Sequence, residues 1–326
     1  MTAWLARSLT AALVTTLSAS VTVPASADGR RSVLVVAGVS GSPEHAKAQT
    51  EWVETLSAAL AGPLGLPGDR VQVLTEGAPP AARATRENVR ATLADLQTRT
   101  GADDLVAIVL IGHGTFDGTI AKFNLVGPDL DAGEWAALLR PFKASLVVVN
   151  TTSASYPFLA ELAAPRRIVI TATGSPFQRY DTVFPEYFVR ALTDDEADLD
   201  KDGRVSVWEA FASASGRVRR FYEQRGQLAT ERAVLDDTGD GTGKEAGEVG
   251  PDGALASRTF LDAGPRLPPG AGPAVSEWLA RRERLLSDLD QLKRKRTFMP
   301  AGDYDAELER LIIEIARVSQ RVRGAS

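Results

Sequence analysis

The chain of 326 residues contains no cysteine, so it can form no disulfide and can use no thiol as a nucleophile or metal ligand. Histidine is almost absent as well, with His45 and His113 as the two copies in the sequence. The H-E-x-x-H pattern of a zinc helix does not occur. With two histidines and no cysteine, a zinc site would have to rely on carboxylates, which is uncommon.

An excess of positive charge is also missing, because the formal net charge is -5. Binding to phosphate backbones requires Lys and Arg gathered on one surface, whereas here the basic residues are scattered among acidic ones. This argues against nucleic acid as a main partner. Beyond the N-terminus, no apolar run approaches the roughly 20 residues that a membrane span requires, so we expect no membrane span.

The first 27 residues have the layout of a secretory signal peptide. Arg7 supplies a positive charge, residues 9–17 form a short apolar run, and Ala25-Ser26-Ala27 is a small-residue cleavage site. The pattern predicts a secreted or periplasmic protein, cleaved near Ala27 and soluble from about Asp28 onward.

Buried-type strands alternate with amphipathic helices between Ser32 and Leu192. Such alternation predicts βαβ units, hence an α/β domain of three layers whose sheet is mostly parallel. We assign this domain to residues 28–262. Residues 263–272 have the Pro/Gly composition of a linker, and two amphipathic segments in 273–326 predict a helical hairpin. Two interpretations of the hairpin remain open. It packs on itself and on the sheet domain, or it forms a dimer contact.

Two of the predicted strands lead directly into polar loops. The run Leu105 to Ile111 is followed by His113, and the run Leu146 to Val149 is followed by Thr152 and Ser153. Loops at the carboxyl ends of parallel strands form the ligand crevice of an open α/β sheet. A histidine beside a hydroxyl is the smallest set for nucleophilic catalysis, so these residues are candidate catalytic groups.

The most specific motif is a twelve-residue loop of the EF-hand type, from Asp198 to Glu209. Glycine at position 6 permits the sharp turn, and the glutamate at position 12 would supply both carboxylate oxygens. The oxygen-rich ligand set favours Ca²⁺ over Mg²⁺. Without the ion, four carboxylates would repel one another, so we expect the loop to order on binding. The predicted ligands, with Arg204 contributing its backbone carbonyl, are Asp198, Asp200, Asp202, Arg204, Ser206 and Glu209.

A second segment repeats the first half of this pattern with Asp236, Thr238, Asp240 and Gly241. Its position 12 falls on Gly247, so the bidentate glutamate is missing. Two interpretations remain open, a weaker second ion site and a flexible Gly/Asp-rich loop.

Four segments together resemble the caspase-like peptidase clan, within it the legumain-like branch and bacterial caspase-like proteins. The resemblance spans roughly residues 32–191, and its motifs are VLVVAGVSG, IVLIGHG, LVVVNTTSAS and RIVITATGS. It implies a caspase-like fold in which His113 polarises the substrate or assists a nucleophile. It also implies a cysteine at the position that Thr152 occupies here.

The threonine leaves three interpretations open. The favoured one is a secreted calcium-binding protein whose peptidase activity is lost or vestigial and which binds a protein or peptide, because a threonine hydroxyl is a poor nucleophile without a base. The second is a calcium-dependent endopeptidase that uses Thr152 or Ser153 with His113. The third is a structural extracellular calcium module whose sheet has no site.

Overall fold

The computed structural model describes residues 29–264, 273–296 and 299–323, which contain nine strands and eight α-helices. The strands are β1 (Arg31–Ala37), β2 (Val71–Thr75), β3 (Leu105–Ile111), β4 (Gly114–Phe116), β5 (Ala121–Phe123), β6 (Leu130–Asp131), β7 (Ser145–Asn150), β8 (Arg167–Thr171) and β9 (Val234–Asp236). The helices are α1 (Pro43–Ala61), α2 (Arg86–Arg99), α3 (Ala132–Leu139), α4 (Pro157–Leu162), α5 (Phe184–Ala191), α6 (Val207–Gln224), α7 (Pro273–Lys295) and α8 (Ala301–Arg323).

Six strands form the main sheet in the order β2-β1-β3-β7-β8-β9. The first five are parallel to their neighbours, and β9 pairs antiparallel with β8. The prediction of an α/β fold with a mostly parallel sheet is confirmed. The sixth strand was not predicted, because its three residues are too short to show a hydrophobic period.

Helices cover both faces of this sheet. Alternate side chains of β1 enter two separate cores, Val33 and Val35 on one face and Leu34 and Val36 on the other. Helices α1, α5 and α6 contribute to the first core, and α2, α3 and α4 contribute to the second. Strands buried on both faces read as continuous apolar runs, which is why β3 and β7 could be recognised from sequence.

Local capping explains where several helices begin. Ser42 caps α1, Thr85 caps α2, and Asp131 forms a capping box with Glu134 at the start of α3. Helix α1 begins at Pro43, whose fixed φ suits the first turn of a helix. Helix α4 and the small antiparallel sheet β4-β5-β6 were not predicted, since each element is too short for a periodic signal.

Helices α7 and α8 pack against each other through a small apolar cluster of their own. Its buried members are Leu285, Leu292, Tyr304, Leu311 and Val318. The predicted signal peptide and most of the predicted linker, residues 265–272, lie outside the described residues. None of the helices in the described ranges is long and apolar enough to cross a membrane.

Candidate functional site

The ends of β3 and β7 bring the two polar loops together. The strands are parallel neighbours, with Leu110 opposite Asn150 in the register. Beyond them, Gly114 packs so closely on the second loop that a Cβ at this position would lie 2.7 Å from Thr152 Oγ1. His113 and Thr152 therefore leave the same edge of the sheet, at adjacent strand ends.

The Thr152 hydroxyl is fully buried and bound within its own loop. Its Oγ1 donates towards Asn150 Oδ1 at 2.7 Å, with the Ser153 carbonyl at 3.1 Å as a second acceptor. A hydroxyl has one hydrogen, so these two acceptors share it. The neighbouring Ser153 Oγ donates to the Gly114 carbonyl at 3.2 Å and is nearly buried. The Thr152 hydroxyl thus bonds within its own loop, and the Ser153 hydroxyl ties that loop to the one after β3.

The imidazole of His113 makes its contacts away from these hydroxyls. Its Nε2 lies 2.7 Å from the Ser40 carbonyl oxygen, and its Nδ1 lies 3.1 Å from Asp181 Oδ1. A carbonyl oxygen can only accept, so Nε2 carries a hydrogen. The Ser40 carbonyl is held in place because the Ser40 amide and hydroxyl both donate to Glu76 Oε2.

The second histidine of the chain lies beside the first. His45 Nε2 is 3.1 Å from Asp181 Oδ2, and the two imidazole rings are 5.0 Å apart with their planes at 72°. The other nitrogen, His45 Nδ1, is 3.2 Å from Ser42 Oγ. The grouping of His45, His113 and Asp181 could not be read from the sequence, because the three residues are far apart along the chain and their contact depends on the fold.

Three carboxylates of the predicted calcium loop converge on one point. One oxygen each of Asp198, Asp200 and Asp202 lies within 4.8 Å of the others. The loop backbone curls around them, with positive φ at Lys201 (56°) and Gly203 (88°). Asp198 accepts the amides of Asp202 at 3.1 Å and Gly203 at 2.9 Å, which fixes its carboxylate towards the loop centre.

Glu209 closes the loop from the first turn of α6. Its Oε1 accepts the amides of Leu199 and Asp200, at 2.8 and 3.2 Å, so its carboxylate faces the start of the loop. Its Oε2 accepts the amide and hydroxyl of Ser206, which is the N-cap of α6 in a capping box. The Ser206 hydroxyl, predicted as a ligand, is therefore bound to Glu209 in this structure.

Burial, together with the crowding of like charges, disfavours ionisation in this loop. Burial, followed by the nearby charge of Asp200, raises the pKa of Asp202 to about 6. Burial also raises the pKa of Asp200, with the charge of Glu209 as the next cause. A divalent cation among these oxygens would favour their charged form, as expected for an oxygen-lined cation site.

Neighbouring segments hold the loop from outside. The Arg204 guanidinium makes a bidentate pair with Asp262, with Nε to Oδ2 at 2.9 Å and Nη2 to Oδ1 at 2.6 Å. It also stacks on the Phe260 ring, 3.8 Å from the ring centroid. From the C-terminal helices, Arg282 Nη2 donates to the Asp202 carbonyl at 2.5 Å. The loop thus contacts helix α7 and also the segment that follows the short 3-10 helix Ala256–Arg258.

The second Asp-rich loop has the same local geometry as the first. Gly239 and Gly241 both have a φ of 79°, at the positions where Lys201 and Gly203 have positive φ in the first loop. Asp236 Oδ2 accepts the Gly241 amide at 2.9 Å, just as Asp198 Oδ2 accepts the Gly203 amide. Both loops therefore curl their backbone amides around the carboxylate at position 1.

Asp252 lies where the second loop needs its missing acidic residue. Its Oδ1 accepts the amides of Asp237 and Thr238 at 3.1 and 3.3 Å, which are loop positions 2 and 3. Glu209 makes the same two contacts in the first loop. Sequence spacing missed Asp252, because it follows Asp236 by sixteen residues rather than the eleven that separate Asp198 from Glu209. In the sequence, Asp252 was visible only as an acidic residue outside the twelve-residue loop pattern.

Comparisons with known proteins find structures that resemble this chain at low sequence identity. No family model matches the chain, and no curated protein matches it. Protein GSU0716 from Geobacter sulfurreducens is 16% identical, with 72% of this chain and 98% of that chain covered and a TM-score of 0.46. The Drosophila initiator caspase Dronc is 11% identical, with 66% and 82% covered and a TM-score of 0.41. At these values neither match carries an argument about activity.

Proposed function

We propose that the protein is a calcium-binding protein of caspase-like α/β fold whose strand-end crevice does not cleave peptides. The observation that carries the proposal is the convergence of the carboxylates of Asp198, Asp200 and Asp202, with Glu209 at the loop's closing position. Ca²⁺ takes six to eight oxygen ligands at about 2.3–2.6 Å, and this loop offers a dense set of them. The Arg204 carbonyl and water would complete the shell.

The calcium proposal also explains why acidic groups gather at a partly buried place. Burying several carboxylates together is unfavourable unless a cation compensates their charge. The raised pKa of Asp202, caused first by burial, reflects this cost. Calcium binding would remove the cost, and the energy of binding would order the loop.

Calorimetric titration of Ca²⁺ into the chelator-treated protein tests the proposal. We expect Glu209→Gln to abolish binding at this loop, because glutamine keeps the capping-box geometry but removes the negative charge and one oxygen. Glu196→Gln is the matched control, since Glu196 is an exposed residue just before the loop. Equal calcium affinity in wild type and Glu209→Gln would refute the site.

A weaker second ion site, formed by Asp236, Thr238, Asp240 and Asp252, belongs to the same proposal. Its support is a set of three hydrogen bonds that each have a counterpart in the first loop. In the same titration, Asp252→Asn removes a second, weaker binding event and leaves the first unchanged. If the wild type shows a single event that Asp252→Asn does not alter, the second loop is a structural turn.

The loss of peptidase activity is proposed from the hydrogen bonding of the crevice. A hydroxyl nucleophile requires a base within hydrogen-bond reach of its proton. The Thr152 hydroxyl instead donates to acceptors of its own loop, and both nitrogens of His113 face Ser40 and Asp181. This favours a vestigial site over an endopeptidase that uses Thr152 or Ser153.

A peptide-library cleavage assay, with and without calcium, tests this part of the proposal. We expect no cleavage above background by the wild type. Thr152→Ala and His113→Ala serve as matched variants for any activity that is seen. Calcium-dependent cleavage that disappears in both variants would contradict the proposal and establish the hydroxyl peptidase instead.

Secretion or a periplasmic location, and a protein or peptide partner, complete the proposal. The location rests on the signal-peptide pattern of residues 1–27. The partner has support in the loop beside the crevice, where Phe177 and Tyr180 are 79% and 70% exposed. Exposed aromatic residues of this kind are typical of protein-binding surfaces.

A further inference from the structure

We propose that His45, His113 and Asp181 form a second, chemically different metal site, which takes Zn²⁺ or a similar transition-metal ion. These residues lie at the strand-end crevice, apart from both acidic loops. One ligand atom from each of the three lies within 4.8 Å of the other two. Imidazole nitrogen with carboxylate oxygen is a set that suits zinc, whereas calcium prefers oxygen alone.

The spacing of the ligand atoms fits one ion. His113 Nδ1 is 3.1 Å from Asp181 Oδ1, and His45 Nε2 is 3.1 Å from Asp181 Oδ2. Two ligand atoms bound tetrahedrally to zinc at about 2.0–2.1 Å lie roughly 3.3 Å from each other. A small adjustment of these side chains would place them around a metal ion.

The hydrogen bonding of His113 points to a cation at its Nδ1. The Ser40 carbonyl accepts at 2.7 Å, so the hydrogen of a neutral ring is on Nε2 and the lone pair of Nδ1 faces a carboxylate oxygen. Two lone pairs at 3.1 Å repel unless a cation lies between them. That cation is either a proton or a metal ion.

The hydrogen-bond partners of the other ring nitrogen of each histidine are those expected at a metal site. A ligating histidine almost always donates its other nitrogen to a backbone carbonyl, a carboxylate or water, which fixes its orientation. His113 does so to Ser40, whose amide and hydroxyl are held by Glu76 at 3.0 and 2.8 Å. His45 Nδ1 has the Ser42 hydroxyl at 3.2 Å as the equivalent partner.

The site is open on one side. The side chains of His45, His113 and Asp181 are 39%, 22% and 56% exposed. Three protein ligands with solvent access leave a fourth position for water or a ligand, as in zinc sites that do more than hold a fold together. Gly41 has a φ of 73°, a backbone conformation that favours glycine and that forms the turn between Ser40 and Ser42. The Ser40–Ser42 turn therefore brings both histidines to one place.

Cobalt(II) binding tests the proposal, because tetrahedral Co²⁺ absorbs visible light and reports nitrogen ligands. The full-length protein is stripped with chelator and kept in excess Ca²⁺, so that the acidic loops are occupied. We expect one Co²⁺ per chain with a tetrahedral-type spectrum, displaced by Zn²⁺. His45→Ala and Asp181→Asn should each weaken binding at least tenfold, and Ser42→Ala less.

Glu44→Gln is the matched control, because Glu44 is exposed and adjacent to His45, and its variant should bind cobalt like the wild type. Circular dichroism verifies folding, and Asp181→Asn decides the outcome if His45→Ala does not fold. Absence of cobalt binding in the wild type would overturn the proposal. Binding that persists unchanged in both ligand variants would overturn it as well.

Discussion

The carboxyl group of Glu231 lies almost fully buried, where α5 begins and α6 passes. Its Oε1 accepts the Val183 amide at 2.7 Å and the Tyr222 hydroxyl at 3.1 Å, and its Oε2 accepts the Phe184 amide at 3.1 Å. These donors favour the carboxylate, but burial outweighs them and raises the pKa of Glu231 from an ordinary 4.5 to about 7. Its protonation is therefore coupled to folding.

We expect the free energy of unfolding to fall as the pH rises from about 4.5 to about 7. In that window the unfolded chain has already lost the Glu231 proton while the folded chain retains it, so the loss amounts to about 3 kcal/mol. Below this window the stabilisation is complete, and above it nothing further is lost. Urea unfolding across the pH range, in saturating calcium, measures the effect.

Glu231→Gln should remove this pH-dependent loss relative to the wild type. Glu223→Gln, at an exposed glutamate of α6, controls for the change of net charge. An unchanged pH profile in Glu231→Gln would show that Glu231 titrates in the folded protein as it does in the unfolded chain.

Among individual residues, the sequence predicted site residues that lie close to one another along the chain. The ligands Asp198, Asp200, Asp202 and Glu209 were named because a loop of fixed length carries them. His45 and Asp181 were not predicted as site residues, since only the fold brings α1 and the loop after β8 to His113. Asp252 was missed for a related reason, because an insertion moves it out of the loop register.

Among the elements, the segment of residues 259–262 holds the proposed calcium loop in place. The Val207 amide donates to the Thr259 carbonyl at 2.8 Å, and Ser206 and Phe260 form a β-bridge. The Arg204–Asp262 pair is buried, with 7% and 10% of the side chains exposed. Asp262 also accepts the Gly264 amide at 2.9 Å. This clamp fixes the backbone whose Arg204 carbonyl would face the ion.

Arg204→Met should lower the free energy of unfolding by about 3–5 kcal/mol, because it leaves the Asp262 carboxylate buried without its ion pair. The double variant Arg204→Met/Asp262→Leu should recover most of that loss, since an apolar pair of similar size carries no buried charge. Urea unfolding of the wild type, both single variants and the double variant forms the required cycle. A double variant as unstable as the sum of the single ones would contradict this account.

Helices and strands could be predicted where they contain enough residues to show a hydrophobic period. Strands β3 and β7 are continuous apolar runs, and α1 shows both a cap at Ser42 and a repeated apolar face. Strand β9 and helix α4 carry three and six residues, below the length at which a period is visible. Their positions follow from tertiary packing, which no local pattern contains.

Over the whole molecule, the candidate sites occupy different parts of one α/β core. The histidine cluster lies at the carboxyl ends of β1 and β3, while the first proposed calcium loop joins α5 to α6 and contacts α7 through Arg282. A ligand that binds the folded state alone stabilises it, by about 2.7 kcal/mol at a concentration 100 times its Kd. Calcium would therefore stabilise the α6 side of the sheet and the attached helix α7 together.

The most direct test of the central claim is a crystal structure of the protein grown with calcium. The account predicts an ion at the loop from Asp198 to Glu209, with oxygens of Asp198, Asp200, Asp202 and Glu209 and the Arg204 carbonyl at about 2.3–2.6 Å. In the Glu209→Gln variant that ion should be absent. An ordered loop without an ion at millimolar calcium, its carboxylates pointing to solvent, would contradict the account.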